Sequence, residues 1–179
     1  NGGGIRANIK SGDILFNDLY NVMPFGDMIA TGSLSGQQLL DILEFSVSSL
    51  PEEAGVFMQV SGMRFCVNPD IPSPVVLSPE NMNFSHIGAG ERRISALEIL
   101  DRGTGEFKEV DLSQQYTMAT LDYLIFELGG NAIFKNVVPH STYWGAEIEI
   151  LRNYVEVNLG GVIGTEYDSP QGRIVYKSF

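Results

Sequence analysis

The first six residues, Asn-Gly-Gly-Gly-Ile-Arg, combine residue types that could bind a small anion or a flat ring. Glycine takes positive φ angles easily and lets the backbone approach a ligand closely. The guanidinium of Arg6 can bind an anion or stack on a ring. The run lacks the Gly-Lys-Ser/Thr ending of a P-loop and the spacing of the dinucleotide-binding fingerprint. Because glycine runs also form plain loops, this stretch alone leaves both interpretations open.

Phe25 and Tyr123 are the residues that could hold a nucleobase by stacking. A base is a flat π-system, and each aromatic contact contributes about 1–3 kcal/mol to its binding. Phe25 lies between Pro24, which fixes the path of the chain, and Gly26, which leaves open space. Either aromatic residue could instead belong to the hydrophobic core, and the local pattern does not decide between the two interpretations.

Independent catalysis has little support in the sequence. The only histidines are His86 and His140, and no His-x-x-x-His or Asp-x-His spacing provides the clustered ligands of a dimetal site. Ser85 precedes His86, but neighbours in sequence need not have neighbouring side chains, and no Gly-x-Ser-x-Gly motif is present. Cys66 is the single cysteine, so it cannot form an internal disulfide. A hydrolase that uses Ser85 and His86 is therefore the weakest alternative.

Composition predicts a globular domain that does not bind nucleic acid. The 179 residues are 44% hydrophobic and 18% charged, which is enough for a packed core. The net charge of −11, with no cluster of Lys or Arg, repels a nucleic-acid backbone. It does not exclude a small nucleotide, because distant charges are screened. No apolar run reaches the roughly 18 residues of a membrane helix, so no membrane span is predicted.

The spacing of apolar residues predicts the helices that would position these candidates. The clearest begins at Ser35, where Gln38 completes a capping box, and ends at Pro51. The other predicted helices cover residues 17–23, 122–128 and a longer stretch from about residue 144 through 155. The last of these rests on an apolar pattern that starts at Trp144 and stops near the glycines at 160–161.

Runs of β-branched and aromatic residues predict the strands. They cover residues 28–34, 56–60, 63–67, 94–100, 107–110, 116–120 and 173–176. Ser61 and Gly62 separate two of these runs and predict a hairpin or a bulged strand. Residues 68–92 contain several prolines and are predicted to be irregular. Since helices and strands alternate without a strict βαβ order, the predicted class is α/β, with α+β possible, and a mixed sheet with packed helices.

Four motifs, taken in order, resemble the C-terminal, nucleotide-binding domain of the 5'-nucleotidase family, which includes UDP-sugar hydrolases and 2',3'-cyclic phosphodiesterases. They are Asn-Gly-Gly-Gly-Ile-Arg at 1–6, Met-Pro-Phe-Gly-Asp at 23–27, Gln-Val-Ser-Gly at 59–62, and Leu-Asp-Tyr at 121–123 followed by Gly-Gly-Asn at 129–131. The resemblance continues to Pro-Gln-Gly-Arg-Ile at 170–174. It implies that residues 1–179 form one such domain, without the strand and helix that precede the first motif in the family. An incomplete domain would expose apolar surface, so we expect a partner to cover it.

The resemblance implies that this domain binds a nucleoside or nucleotide, with a purine favoured. It implies contact of Asn1 with the base or its surroundings, and of Arg6 with ribose or phosphate. Phe25 would stack on the base, and Gly62 would line the pocket. Asp27 stands where some members of the family have Asn, and is expected in the same site.

The motif around residue 131 departs from the family in two ways. Asn131 follows the glycine pair where the family usually has Asp, and an amide offers the ribose hydroxyls a weaker acceptor than a carboxylate does. The family's second aromatic residue stands four positions before the glycine pair, where this chain has Ile125. Tyr123 stands six positions before it. Either Tyr123 serves as the second ring, after an insertion, or that ring is missing.

The function implied by the resemblance is nucleotide binding within a 5'-nucleotidase-type metallophosphohydrolase, and the isolated chain is not expected to be catalytic. No cofactor is expected in this chain. Two divalent metals would belong to a separate N-terminal metallophosphatase domain or chain, which would be its partner. The implied location is periplasmic, secreted or at the cell surface. The alternative is an interaction or structural domain that keeps the fold and has lost the ligand, as the departures at Asn131 and Tyr123 would suggest.

Overall fold

The computed structural model of the chain describes residues 1–126 and 132–177, apart from the side chains of residues 142 and 143. The helices in these ranges are α1 (Phe16–Val22), α2 (Gly36–Ser46), α3 (Asp122–Phe126) and α4 (Glu147–Asn153). The strands are β1 (Met28–Ser35), β2 (Met63–Val67), β3 (Val75–Leu77), β4 (Phe84–Ile87), β5 (Ile94–Leu100), β6 (Phe107–Glu109), β7 (Gln115–Leu121), β8 (Val138–Ala146) and β9 (Ile174–Tyr176). Short 3-10 turns lie at Gly2–Gly4, Ala132–Asn136 and Thr165–Tyr167, and a π-helical turn at Tyr154–Asn158 continues α4.

The described strands form three sheets. β1 is the central strand of an antiparallel sheet with the order β7-β1-β8. A second sheet has the order β6-β5-β2-β9, in which β2 runs antiparallel to β5 and parallel to β9. β3 and β4 form a separate hairpin. Parallel and antiparallel pairs in one sheet, with helices packed against the strands, confirm the predicted α/β class with a mixed sheet.

The hydrophobic core holds α2 against both larger sheets. Ala30 and Leu34 lie on the inner face of β1, and Phe65 is buried on β2. α2 contributes Leu39 and Leu43, four residues apart on one helical face, as the sequence predicts. This packing fixes the direction of β1. It therefore also determines at which end of the sheet the segment before β1 lies close to the segment after β7.

The predicted capping box starts α2. Ser35 Oγ accepts a hydrogen bond from the Gln38 N–H at 3.2 Å, and Gln38 Oε1 accepts one from the Ser35 N–H at 2.7 Å. The helix ends at Ser46 rather than continuing to Pro51. Carbonyls of the turn that follows the helix instead accept hydrogen bonds from a side chain of the segment that leads into β5.

That side chain is Arg93, which is 8% exposed. Its guanidinium donates hydrogen bonds to four backbone carbonyls, those of Val47, Ser48, Leu50 and Ile71. The carboxylate of Glu44, which is fully buried on α2, accepts from the backbone N–H groups of Arg93 at 2.8 Å and of Ile94 at 3.2 Å. Burial raises the pKa of Glu44, and these hydrogen bonds oppose the rise. These hydrogen bonds connect the end of α2 to the start of β5.

The predicted strand at residues 56–60 is wrong. The Phe57 carbonyl accepts a hydrogen bond from the Gly2 N–H at 2.7 Å, so this segment bonds to the glycine run and not to a neighbouring strand. No hairpin therefore surrounds Gly62, because β2 pairs with β5 and β9. Residues 68–92 are less irregular than predicted, since they include the β3-β4 hairpin.

The predicted long helix beginning near Trp144 is also wrong at its start. Trp144 lies in β8, which pairs with β1, and its indole N–H donates to Thr31 Oγ1 at 3.4 Å. Gly145 has φ of +134°, which a right-handed helix does not allow. α4 begins only at Glu147, after the chain has left the sheet.

Candidate functional site

One end of the β7-β1-β8 sheet brings three of the sequence motifs together. Ile29 on β1 is paired with Leu121 on β7. Just beyond this pair, the Met28 N–H donates to Asp122 Oδ1 at 3.0 Å. The hydrogen bond joins the segment that contains Phe25 to the segment that contains Tyr123. Because the strands are antiparallel, the entry to β1 and the exit from β7 lie at the same end.

The glycine run lies beside this end of the sheet. Gly3 donates its N–H to the Gly55 carbonyl at 2.9 Å, and Asn1 Nδ2 donates to the same carbonyl at 2.9 Å. A Cβ atom placed on Gly4 would lie 3.9 Å from Leu121 Cδ1, at the end of β7. The amide of Asn1 therefore holds the glycine loop in place. Any contact it makes with a ligand would be additional to that role.

Arg6 carries an exposed guanidinium next to the glycine run. Its backbone N–H donates to the Val22 carbonyl at 2.9 Å, which ties it to the end of α1. Its Nη1 donates to the Gly3 carbonyl at 3.3 Å. The charge is thus held close to the segment that leads into Phe25, where an anionic group on a ligand could reach it.

Phe25 and Tyr123 are not core residues. Phe25 is 60% exposed and Tyr123 is 38% exposed, so both rings are accessible to a ligand. Gly26, directly after Phe25, has φ of +73°, and a Cβ atom added to it would have no neighbour within 4 Å. Ile125, which stands at the family's spacing for the second ring, is only 6% exposed. The Tyr123 ring is therefore accessible, and whether it serves as the second ring or that ring is missing stays a prediction.

Three carboxylates lie at the same end of the sheet. Asp122 Oδ1 accepts from two backbone N–H groups, those of Met28 and of Tyr123. The Asp27 carbonyl accepts from the N–H of Glu147 at 2.9 Å, where α4 begins. Burial first, and then the negative charges of Asp27 and Asp122, raise the pKa of Glu147 to about 7. Sequence reasoning missed Glu147 because it placed this residue inside the helix predicted around Trp144.

Gly62 is the described candidate that the structure places in another part of the fold. Gly62 precedes β2 with φ of +71°, and its carbonyl accepts from the Leu100 N–H at 2.9 Å, in the other large sheet. Asn131 lies outside the described residues. The roles expected for both stay predictions.

Two clefts lie away from this end of the sheet. One of about 1030 Å³ is bordered by the loop that leads into α1 and by the π-helical turn and loop after α4, with Phe16 and Tyr167 in its wall. One of about 480 Å³ lies between Phe57 and the segment before β9. None of the described residues predicted to contact a ligand lines either cleft, so the clefts do not alter the assignment of the candidate site.

Two features are absent from residues 1–126 and 132–177. No three or more His, Cys, Asp or Glu side chains there are grouped so that they could hold a metal ion. None of the helices in those ranges combines the length and the apolar character needed to cross a membrane.

A family model described as "5'-nucleotidase, C-terminal domain" matches residues 1–136, which is most of the chain. The chain belongs to this family. The 5'-nucleotidase of Vibrio parahaemolyticus is 37% identical over 181 residues, a match that covers 99% of this chain and 26% of the relative. The 5'-nucleotidase of Vibrio cholerae is 25% identical over 180 residues, again covering 26% of the relative. This 5'-nucleotidase C-terminal domain thus spans about a quarter of the length of the curated relatives it matches.

Solved structures place the fold in the same family. The crystal structure of a 5'-nucleotidase precursor from Thermus thermophilus matches 98% of this chain and 30% of its own, with a TM-score of 0.75 and 27% identity. The NAD nucleotidase of Haemophilus influenzae matches 99% of this chain and 29% of its own, with a TM-score of 0.72 and 22% identity, and supports the fold alone. The 5'-nucleotidase C-terminal domain recognised from its motifs is therefore confirmed as a family and as a fold.

Proposed function

We propose that this domain binds the nucleoside part of a nucleotide, with a purine favoured, in a 5'-nucleotidase-type phosphohydrolase. The observation that carries the proposal is the exposure of Phe25 and Tyr123 on two segments joined by the hydrogen bond between Met28 and Asp122. In a domain of this family, two exposed rings at one end of a sheet are suited to hold a flat base by stacking. Arg6, on the neighbouring loop, provides a positive charge for ribose oxygens or phosphate.

Hydrolysis of the phosphate ester would require groups outside this chain. In this proposal a separate metallophosphatase domain or chain holds two divalent metals, which would activate water and neutralise charge on the phosphate. This domain supplies binding free energy from the part of the substrate that does not react. We extend the proposal to residues 1–179 as one such domain and to a periplasmic, secreted or cell-surface location.

Phe25→Ala is expected to weaken the binding of adenosine by roughly 5- to 150-fold, because one stacked ring contributes about 1–3 kcal/mol. Isothermal titration calorimetry of the chain and the variant measures the change. Phe16→Ala is the matched control, because Phe16 is 53% exposed on α1 and faces a different part of the surface. It should leave the affinity unchanged.

The same titration distinguishes nucleoside binding from the alternative, an interaction or structural domain that has lost the ligand. Binding of adenosine that is weakened by Phe25→Ala and unchanged by Phe16→Ala supports nucleoside binding. If adenosine does not bind the unmodified chain at millimolar concentration, the proposal is wrong and the domain is better described as an interaction or structural domain that keeps the fold. Hydrolysis of AMP by the purified chain would contradict the placement of catalysis elsewhere.

A further inference from the structure

One peptide group in front of β1 is held from both of its sides. It is the group between Asp27 and Met28, and it follows closely after the exposed ring of Phe25. Its carbonyl accepts a hydrogen bond from the Glu147 N–H at 2.9 Å, and its N–H donates to Asp122 Oδ1 at 3.0 Å. Contacts with two elements that are distant in sequence therefore fix the path of the chain at the entry to β1.

Asp122 Oδ1 is shared between the two segments that carry the proposed stacking rings. It accepts a second hydrogen bond, from the N–H of Tyr123 at 2.8 Å, so one oxygen atom bonds both backbones. The two segments cannot separate without breaking one of these bonds. A charged carboxylate makes stronger hydrogen bonds than a neutral oxygen does, and the half-burial of Asp122 reduces competition from water.

Phe25 is close enough along the chain to be positioned by this peptide group. Only Gly26 stands between Phe25 and Asp27, and its φ of +73° lies in the left-handed region, where glycine is favoured. Because Phe25 is 60% exposed, its side chain has few neighbours that could hold the ring. The position of the ring therefore depends on the backbone, which is held on this side through Asp122.

We propose that Asp122 is a positioning residue that couples Phe25 to Tyr123, so that the two rings hold a base as a pair. The inference rests on the proposed nucleoside site and adds to it a group that does not touch the ligand. Asp122 acts on both rings through the two backbone N–H groups that donate to it. A gap that is about 0.5–1 Å too wide between a ring and the base forfeits roughly a quarter to a half of the attraction between their atoms. The separation of the two segments therefore matters for affinity.

The test is a double-mutant cycle on adenosine binding, measured by isothermal titration calorimetry. Asp122→Ala is expected to weaken binding about tenfold, because the two segments lose their shared acceptor. In the Asp122→Ala background, the further loss caused by Phe25→Ala should be about fivefold smaller than the loss it causes in the unmodified chain. If Asp122 only stabilised the fold, Asp122→Ala would lower the melting temperature and leave the effect of Phe25→Ala on affinity unchanged.

Two further variants separate positioning from a general effect of losing an aspartate. Asp111→Ala is the matched control, because Asp111 accepts hydrogen bonds from the N–H and the hydroxyl of Ser113 in an exposed turn at the opposite end of β7. It should leave the affinity for adenosine unchanged. Asp122→Asn keeps an acceptor oxygen without the charge, so it should bind adenosine about threefold more weakly than the unmodified chain and more tightly than Asp122→Ala.

The outcomes distinguish this inference from the proposed function. If the losses for Asp122→Ala and Phe25→Ala simply multiply in the double variant, the inference is overturned and nucleoside binding stands. If Asp122→Ala does not fold, Asp122→Asn decides in its place, and an affinity equal to that of the unmodified chain would overturn the inference. Failure of the unmodified chain to bind adenosine would instead overturn the proposed function, and this inference with it.

Discussion

Replacing Arg93 with Ala is expected to lower the free energy of unfolding by about 3–5 kcal/mol, the range found when one member of a buried charged network is removed. The substitution would leave four backbone carbonyls without their donor. It would also remove a positive charge near the buried carboxylate of Glu44. Each unsatisfied buried acceptor costs about 1–3 kcal/mol, although water can reach some of them after the change.

Urea denaturation followed by circular dichroism measures this loss. Arg102→Ala is the matched control, because Arg102 is exposed in the turn between β5 and β6 and its replacement should change stability by less than about 0.5 kcal/mol. Arg93→Lys should fall between the two, since an ammonium group cannot reproduce the spread of a guanidinium over several carbonyls. A loss for Arg93→Ala as small as that for Arg102→Ala would show that the network does not hold α2 to β5.

Replacing Glu147 with Gln is expected to raise the free energy of unfolding above neutral pH by up to about 3 kcal/mol. The pKa of Glu147 is about 7 in the folded chain against an ordinary value of 4.5, and each pKa unit corresponds to about 1.4 kcal/mol. A raised pKa in the folded state stabilises the protein fully below the ordinary value. That stability is lost as pH rises through the folded value, because the charge must then be buried.

The experiment follows unfolding of the chain and of Glu147→Gln between about pH 5 and pH 8. The two stabilities should be closest at the acid end, should diverge as pH rises from the ordinary value of 4.5 toward the folded value of about 7, and should then differ by a nearly constant amount. Glu149→Gln, which is exposed, should follow the unmodified chain throughout. If the free energies of unfolding of the chain and of Glu147→Gln change in parallel with pH, the pKa of Glu147 is not raised in the folded state. Its carboxylate is then better solvated than the structure indicates.

Much of the fold could be predicted because several segments carry strong local signals. The capping residues Ser35 and Gln38 mark the start of α2, and the predicted bounds of β5 agree with the structure at both ends. Residues 56–60 mislead because their apolar pattern suits a strand, while the carbonyl of Phe57 accepts a hydrogen bond from Gly2, which is far away in sequence. Trp144 misleads because its spacing from Ile148 fits a helix, but pairing with β1 decides the conformation.

Part of the candidate site could also be predicted, because some of its residues carry strong local signals. Phe25 and Tyr123 stand out by residue type and motif, and their exposure agrees with a role outside the core. The proximity of their segments depends on antiparallel pairing between β1 and β7, which local sequence does not specify. Glu147 could not be found, because its raised pKa comes from burial and from the charges of Asp27 and Asp122, which are distant in sequence, and glutamate at a helix start is ordinary.

The most direct measurement of nucleoside binding is a crystal structure of the chain at saturating adenosine. We predict the purine stacked on Phe25, with the ring of Tyr123 against it or beside it and the ribose directed toward Arg6. A base bound in either of the clefts near Phe16 or Phe57, with Phe25 still exposed to solvent, would contradict nucleoside binding at this end of the sheet.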